Sequence, residues 1–248
     1  MIGMGFYRLL HPSLLRRIMS TIAANLQAVK ARIAAACRTV GRDPSAVQLV
    51  AVSKTFGVDA VREAARAGQR DFGENYVQEG AEKIHATSDL KLHWHYIGPI
   101  QGNKTRPIAE RFDWVHTIER EKIAMRLSQA RDPALPPLQV CIQVNVSGEA
   151  SKSGVAPDGV AALARSVTAL PRLKLRGLMA IPEPTDDMAL ARRRFAQLRA
   201  IKDELNRGGL GLDTLSMGMS ADLEAAIAEG ATLVRIGTAL FGQRVAAL

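Results

Sequence analysis

The chain has 248 residues, of which 47% are hydrophobic, so it can bury the core of one large domain. Two cysteines, Cys37 and Cys141, are too few for a disulfide framework, and the absence of a Cys-x-x-Cys or Cys/His cluster excludes a zinc module. No run of about 18 or more apolar residues occurs, which excludes a membrane-spanning segment. We therefore expect a cytoplasmic protein with no membrane partner and no metal.

The net charge of +9 is concentrated at the N-terminus. No Asp or Glu precedes Asp43, whereas residues 1–42 contain seven Lys or Arg residues, so the rest of the chain is close to neutral. The body is therefore not predicted to bind nucleic acid, although a basic N-terminal arm that binds an anionic surface is one alternative. We interpret residues 1–18 as an N-terminal extension, Met19 as the natural start, and residues 19–248 as a single domain.

The predicted elements alternate between strand and helix along the chain. A first helix is predicted over residues 21–37. Apolar segments predict strands at 47–53, 71–73, 92–97, 114–117, 138–146, 175–180, 214–217 and 232–236. Helical periodicity follows at 58–67, 76–86, 103–110, 120–129, 157–169, 188–207, 221–229 and around 238–242. Eight such units predict a closed (β/α)8 TIM barrel, and an open doubly wound sheet is the alternative.

Lys54 follows the first of these strands, with only Ser53 between them. A strand this apolar is expected to be buried on both faces, and its carboxyl end then lies at the rim where α/β folds bind ligands. An amine buried at such a rim loses its proton more readily, and a neutral amine can form an imine with an aldehyde. Lys54 is therefore the candidate covalent attachment point.

Two loops near the C-terminus are predicted to bind phosphate, because barrels often hold phosphate after the seventh and eighth strands. Glycines let the backbone approach an anion, and hydroxyl side chains at a helix start can donate to phosphate oxygens. The candidates are Gly218, Met219 and Ser220 in the first loop, and Gly237 and Thr238 in the second.

The first and last strands of a closed barrel are neighbours, so Lys54 is expected beside the phosphate loops. An imine-forming amine next to a phosphate site indicates a phosphorylated aldehyde, either pyridoxal 5'-phosphate (PLP) or the substrate of a sugar-phosphate aldolase. Arg235 lies at the rim between the two sites. Its permanent charge would leave a facing pyridine nitrogen unprotonated, which favours PLP and gives little support to carbanion chemistry.

Seven motifs carry a resemblance to a known family. They are AVSKT from Ala51, FGENYVQE from Phe72, WHYIGPIQGNK from Trp94, SKSG from Ser151, RGLMAIP from Arg176, LSMGMS from Leu215 and VRIGT from Val234. Together they resemble the YggS/PROSC family of pyridoxal phosphate homeostasis proteins, over about residues 21–244. The resemblance implies a barrel like the N-terminal domain of alanine racemase, with vitamin B6 homeostasis as the function.

The resemblance also implies a role for each site residue. PLP would be held as a Schiff base (an internal aldimine) on Lys54, with Asn75 near the cofactor. Arg235 would face the pyridine nitrogen. The phosphate would be bound by Ser220, Gly237 and Thr238, and Gly218 and Met219 would complete the phosphate loop.

A carrier is predicted rather than an enzyme, and no catalytic residue is assigned. PLP racemases need an acid/base group on each face of the substrate, and the resemblance places the second group on a domain expected to be missing after Leu248. We therefore expect a carrier that stores PLP or delivers it to apoenzymes and so affects amino-acid and keto-acid balance. We expect this carrier to be a monomer. A weak amino-acid racemase or lyase is the alternative.

Five other residues have predicted roles. His95 and His116 are expected to line the barrel interior rather than to bind metal. Tyr76 is expected to pack as a helix residue. Lys104 and Lys152 are secondary candidates for trapping an aldehyde.

Overall fold

A computed structural model describes residues 12–148 and 153–242, with side chains from residue 21 onward. In this part of the chain a closed parallel barrel forms, in which each strand pairs with the next and the last pairs with the first. The strands are β1 (Gln48–Val52), β2 (Asp71–Glu74), β3 (His93–Tyr96), β4 (Trp114–Ile118), β5 (Leu138–Gln143), β6 (Leu173–Met179), β7 (Thr214–Ser216) and β8 (Leu233–Ile236).

Helices surround this barrel. They are α1 (Pro12–Thr39), α2 (Val58–Arg66), α3 (Val77–Ala86), α4 (Thr105–Arg111), α5 (Glu121–Ala130), α6 (Val160–Thr168), α7 (Met188–Arg207), α8 (Leu223–Ala228) and α9 (Thr238–Phe241). Short 3-10 helices lie at Pro44–Ala46, Gly102–Lys104 and Pro157–Gly159. Within the described ranges, no helix is both long and apolar enough to cross a membrane.

The predicted (β/α)8 barrel is confirmed. All eight predicted strands form within a few residues of their expected bounds, because each is an apolar run between polar turns. The alternative open sheet is wrong, since β1 and β8 pair in parallel from Gln48 with Leu233 to Ala51 with Ile236. This closure brings the end of the first strand next to the end of the last.

Helix α1 begins earlier than predicted and packs against the barrel body. It starts at Pro12 instead of the predicted residue 21 and ends at Thr39 instead of residue 37. The Arg32 side chain forms a salt bridge with Glu224 at 2.6 Å, and Arg42 donates to the carbonyls of Ile227 and Ala231. These two basic residues are therefore structural contacts. Residues 1–11 lie outside the described residues, and the extension over residues 1–18 stays a prediction.

Buried polar side chains interrupt an otherwise apolar core. Phe72, Phe112 and Phe195 are fully buried, as expected for side chains between sheet and helices. Polar side chains such as His95 and Arg235 are also buried, although barrel interiors are usually filled by branched apolar residues. Buried polar groups need hydrogen-bond partners, so their positions mark organised parts of the barrel.

Candidate functional site

Three neighbouring strand ends meet at the carboxyl rim of the barrel. In the parallel register, Val52 of β1 pairs with Gly73 of β2, and Ala51 pairs with Ile236 of β8. Lys54 therefore follows β1 between Asn75 on one side and Gly237 on the other, and its side chain is half-buried. The geometry brings together the predicted attachment lysine and two of its predicted neighbours.

The backbone at Lys54 is held by its neighbours on both sides. Thr55 has a left-handed backbone with φ of 70°, which is uncommon for a β-branched residue. Its N–H donates to Glu79 Oε1 on α3 at 2.5 Å. The next residue, Phe56, stacks on Phe241 of α9 with ring centroids 5.2 Å apart. The loop after β1 is thus attached to two helices.

A buried charged cluster lies directly beneath this loop, and the sequence reasoning missed it. The Lys83 ammonium on α3 donates to Glu74 Oε1 at 2.6 Å, to Glu79 Oε1 at 2.7 Å and to the Ser53 carbonyl at 2.7 Å. The Ser53 hydroxyl also donates to Glu74 Oε1, at 2.6 Å. We call these four residues the Lys83 clamp. The clamp joins β1, β2 and α3 on either side of Lys54.

Burial controls the charge state of the clamp. It raises the pKa of Glu74, and the positive charge of Lys83 offsets only part of this effect. The position of Lys83 could have indicated this cluster, because Lys83 lies three residues after Gly80 and therefore on the same, buried face of α3. A lysine on an apolar helix face needs a buried partner, and Glu74 at the end of β2 provides it.

Asn75 has an unused acceptor. Its side-chain Oδ1 is buried, and no hydrogen-bond partner for it exists in the described part of the chain. A buried acceptor that is left unpaired costs about 1–3 kcal/mol. Asn75 thus provides a buried hydrogen-bond acceptor near Lys54 that no described residue uses.

The loop after β7 is tightly bound to its surroundings. Gly218 has φ of 96°, and a Cβ there would lie 2.6 Å from the Cβ of Ala226, so this position requires glycine. The Met219 N–H donates to Asp222 Oδ1 at 2.6 Å and is therefore already bonded. The prediction that Ser220 lies at a helix start is wrong, because α8 begins only at Leu223, with Asp222 as its N-cap. The Ser220 carbonyl accepts from Arg32 at 2.8 Å.

The loop after β8 approaches β1 closely. A Cβ on Gly237 would lie 3.2 Å from the Val52 carbonyl oxygen, which shows how near this backbone is to the strand that leads to Lys54. Gly237 is the N-cap residue of α9, and Thr238, which is exposed, is its first residue. The first N–H groups of a helix have no acceptor within the helix, so they can bind an anion.

Arg235 is buried inside the barrel with only 3% of its surface exposed. Its guanidinium donates to Ser216 Oγ at 2.6 Å and to the Ala180 carbonyl at 2.9 Å. Burial lowers the pKa of Arg235 to about 10, so the group remains positive at neutral pH. No salt bridge to Arg235 is found within residues 21–148 and 153–242.

The structure also tests the predicted roles of other polar residues. His95 and His116 are fully buried inside the barrel, as predicted. Tyr76 does not pack within a helix: it precedes α3 and is 59% exposed, so that prediction is wrong. Lys104 is exposed, and Lys152 lies outside the described residues. Among the described residues, no group of three or more His, Cys, Asp or Glu side chains could hold a metal ion.

Comparison with known proteins identifies the family. Residues 24–245 match the family described as "Alanine racemase, N-terminal domain". A Pseudomonas aeruginosa protein named pyridoxal phosphate homeostasis protein is 64% identical over 226 residues, covering 91% of this chain and 97% of its own. The chain belongs to the pyridoxal phosphate homeostasis protein family. The resemblance seen in the seven sequence motifs is thereby confirmed.

Two solved structures support the fold of this family member. PipY of Synechococcus elongatus, solved with PLP bound, is 37% identical, with a TM-score of 0.77 over 89% of this chain and 100% of its own. Alanine racemase from Corynebacterium glutamicum is 17% identical, with a TM-score of 0.69 over 93% of this chain and 63% of its own. The second likeness concerns the barrel fold alone.

Proposed function

We propose that this protein binds PLP through Lys54 and stores or delivers it, as part of PLP homeostasis. The observation that carries the proposal is the meeting of Lys54, Asn75 and Gly237 at adjacent strand ends of the closed barrel. Family membership supports it, because the related PipY is solved with PLP bound and the Pseudomonas aeruginosa relative is named for PLP homeostasis.

Each part of the rim has a proposed task. PLP supplies an aldehyde carbon, with which a neutral amine forms a C=N bond and releases one water molecule. Lys54 provides that amine, and the Lys83 clamp holds the backbone on both sides of it. The phosphate is bound by Ser220, Gly237 and Thr238, while Gly218 and Met219 shape the loop that carries Ser220.

Two features of the site, the unpaired Asn75 acceptor and the buried Arg235 guanidinium, fit a flat heteroaromatic ligand. The buried Asn75 Oδ1 accepts from no described residue, so a ligand donor would remove the cost of leaving it unpaired. The buried Arg235 guanidinium can only donate hydrogen bonds, so it suits a ring nitrogen that accepts one and stays unprotonated. Pyridoxal phosphate has such a ring nitrogen, and the residues present therefore fit it.

Holding the cofactor is favoured over turnover. An unprotonated ring nitrogen is a poor electron sink, so the position of Arg235 gives little help to a carbanion. The Tyr96 hydroxyl donates to the Pro99 carbonyl at 2.9 Å, and burial raises the pKa of Tyr96 to about 12, which makes it a poor acid/base group near neutral pH. Tyr76 is exposed to solvent. We also propose a cytoplasmic monomer that passes PLP to enzymes requiring it.

Absorbance spectroscopy tests the attachment site. Purified protein saturated with PLP should show an imine band that borohydride abolishes, and peptide mapping should find the reduced adduct on Lys54. The Lys54→Ala variant should lack the band. Lys104→Ala is the matched control. It removes an exposed lysine from the segment after β3 and should leave the band intact. A band that persists in Lys54→Ala would refute the site.

Solvent deuterium exchange separates the carrier from the enzyme. A carrier loaded with PLP should exchange no Cα hydrogen at catalytic rates in any member of an amino-acid panel. Exchange that is rapid, and that depends on Lys54, would instead support the racemase or lyase alternative. Transfer is measured separately, by mixing loaded protein with a PLP-requiring apoenzyme and following the recovery of activity.

A further inference from the structure

The barrel interior contains a chain of hydrogen-bonded side chains that ends at Arg235. Arg235 Nη1 lies 2.6 Å from Ser216 Oγ, which lies 2.8 Å from His116 Nδ1. His116 Nε2 lies 3.0 Å from His95 Nδ1, and His95 Nε2 lies 3.2 Å from Asp71 Oδ1. All five residues are buried. We call them the interior chain.

The interior chain crosses the barrel rather than following one strand pair. Its members come from β2, β3, β4, β7 and β8. Strands β4 and β7 are not neighbours, so the bond between His116 and Ser216 has to run through the interior. The chain therefore links Arg235 to Asp71, the first residue of β2.

The donors along this chain have one consistent direction. A guanidinium only donates, so Ser216 Oγ accepts from Arg235 and has its own single hydrogen left to give. His116 Nδ1 is the acceptor within reach. Burial lowers the pKa of His116 well below 6.5, and the nearby positive charge of Arg235 adds to the effect, so its ring is neutral.

The remaining proton positions follow from this neutral ring. Since Nδ1 of His116 accepts, its hydrogen is on Nε2 and is donated to His95 Nδ1. The hydrogen of His95 is then on Nε2 and is donated to the Asp71 carboxylate. In the opposite direction, His116 would donate to Ser216, and the Ser216 hydroxyl hydrogen would lack an acceptor among its described contacts. The first arrangement satisfies every member.

We infer that His116, acting through Ser216, is a positioning residue that fixes how the Arg235 guanidinium faces the ring nitrogen of bound PLP. Ser216 Oγ and the Ala180 carbonyl hold two nitrogens of the guanidinium, which sets the plane of the group. The successive hydrogen bonds of the interior chain hold the Ser216 hydroxyl in the orientation in which its oxygen accepts from Arg235. The inference rests on the proposed PLP binding at Lys54.

The ligand-free protein provides a first test. Histidine ring nitrogens of the full chain, which has five histidines, can be followed by nitrogen-15 NMR at neutral pH. His95 and His116, assigned with the variants His95→Asn and His116→Asn, should both be neutral with hydrogen on Nε2. A charged ring, or hydrogen on Nδ1 of His116, would overturn the arrangement without any reference to PLP.

The PLP-loaded protein provides the second test. Ser216→Ala and His116→Leu should each shift the absorbance maximum of the bound cofactor, because the ring nitrogen would lose its fixed partner. We expect each to release PLP about tenfold faster, the effect of losing one hydrogen bond to a charged group. His116→Asn should restore the wild-type spectrum, since its Oδ1 can occupy the position of Nδ1. Ser128→Ala, a buried serine on α5, is the matched control.

The outcomes separate this inference from the proposed function. If wild-type protein forms the Lys54-dependent band while Ser216→Ala keeps the wild-type spectrum and release rate, the positioning role is wrong and the PLP site stands. If the band does not depend on Lys54, the proposed function itself fails. A variant that does not fold is recognised by circular dichroism, and the NMR test on wild-type protein then decides the hydrogen-bond direction.

Discussion

Strand β2 carries a buried carboxyl group at each end, and the two belong to different polar networks. Asp71 begins the strand and accepts a hydrogen bond from His95 inside the barrel. Glu74 ends the strand and accepts from Lys83 of helix α3, in the layer between sheet and helices. Residues three positions apart on a strand face opposite sides, so one short strand contributes to both the interior chain and the Lys83 clamp.

The two carboxyl groups have opposite pKa shifts, because burial dominates at Glu74 whereas hydrogen bonds outweigh burial at Asp71. The Glu74 side chain is 0% exposed, so burial dominates and raises its pKa despite the nearby Lys83 ammonium. The Asp71 side chain is 11% exposed. Burial would also raise the pKa of Asp71, but hydrogen bonds from His95 and Gln48 outweigh it and the net shift is downward. The ion pair with Lys83 therefore does not lower the pKa of Glu74, whereas hydrogen-bond donors do lower the pKa of Asp71.

Breaking the clamp should have the largest effect on stability. Lys83→Met leaves Glu74 buried without its cation, and removal of one partner from a buried pair costs about 3–5 kcal/mol. We expect the free energy of unfolding in urea to fall by this amount. The double variant Lys83→Met with Glu74→Gln should recover part of the loss, because the fully buried Glu74 charge is removed and only the partly exposed Glu79 is left without its cation. If the two single changes simply add, the clamp does not act as a coupled pair.

Breaking the interior chain at its carboxylate should have a smaller effect. Asp71→Asn removes the charge that accepts from His95, and a hydrogen bond to a charged group contributes about 2 kcal/mol. Urea unfolding measures the loss. Asp89→Asn is the control, because Asp89 accepts from Arg62 but is exposed and should contribute little. Equal losses in the two variants would contradict the importance of burial for the interior chain.

The positions of Lys54 and Gly237 could be predicted, because local sequence patterns and barrel closure determine them. The apolar run before Lys54 indicated a rim position, and closure placed that rim next to Gly237. Arg235 was expected at the same rim, but it lies within β8 with its side chain buried inside the barrel, and its contacts were not foreseen. Helix α1 and Tyr76 were misjudged, since the local sequence around each is compatible with more than one start of a helix.

The two networks could not be predicted, because their contacts join elements that are far apart in sequence. The bond between His116 and Ser216 depends on the register of strands that are not neighbours, and no periodicity encodes that register. The position of Lys83 on the buried face of α3 indicates that it needs a buried partner, but that partner is known only once β2 is placed against α3. Alternation on β3 did predict that His95 faces the interior, yet it could not supply the partner.

The pH dependence of stability distinguishes the two carboxyl groups of β2. Asp71 has a lowered pKa in the folded protein, so it contributes stability above about 3.8, the usual value, that is lost as the pH falls through the folded pKa. Glu74 has a raised pKa, so its contribution decreases as the pH rises from about 4.5 through the folded pKa. Asp71→Asn and Glu74→Gln should therefore remove pH dependences of opposite sign.

Urea unfolding of wild type and both variants between about pH 2.5 and pH 7 measures these slopes. The stability lost in Asp71→Asn should grow with increasing pH, and the stability lost in Glu74→Gln should shrink. The difference from wild type isolates each group from the other carboxylates of the chain. Slopes of the same sign in the two variants would show that burial does not separate the two ends of β2.

The smallest expected change concerns the strained residue that the clamp holds beside Lys54. Thr55 has φ of 70°, and the left-handed conformation costs an L-residue about 1–2 kcal/mol, whereas glycine adopts it freely. Because glycine also loses more chain entropy on folding, Thr55→Gly should gain only about 0.5–1 kcal/mol in the free energy of unfolding. Thr55→Ala, which keeps the strain, should gain nothing.

The same pair of variants tests whether this strain serves the binding of PLP. If Glu79 holds Thr55 in its strained state in order to orient Lys54, the more flexible Thr55→Gly protein should release PLP faster although it is more stable. Release is followed by the loss of the imine band after dilution into excess apoenzyme. If Thr55→Gly is more stable than wild type and releases PLP at the same rate, the left-handed turn only connects β1 to α2, and the clamp alone positions the lysine.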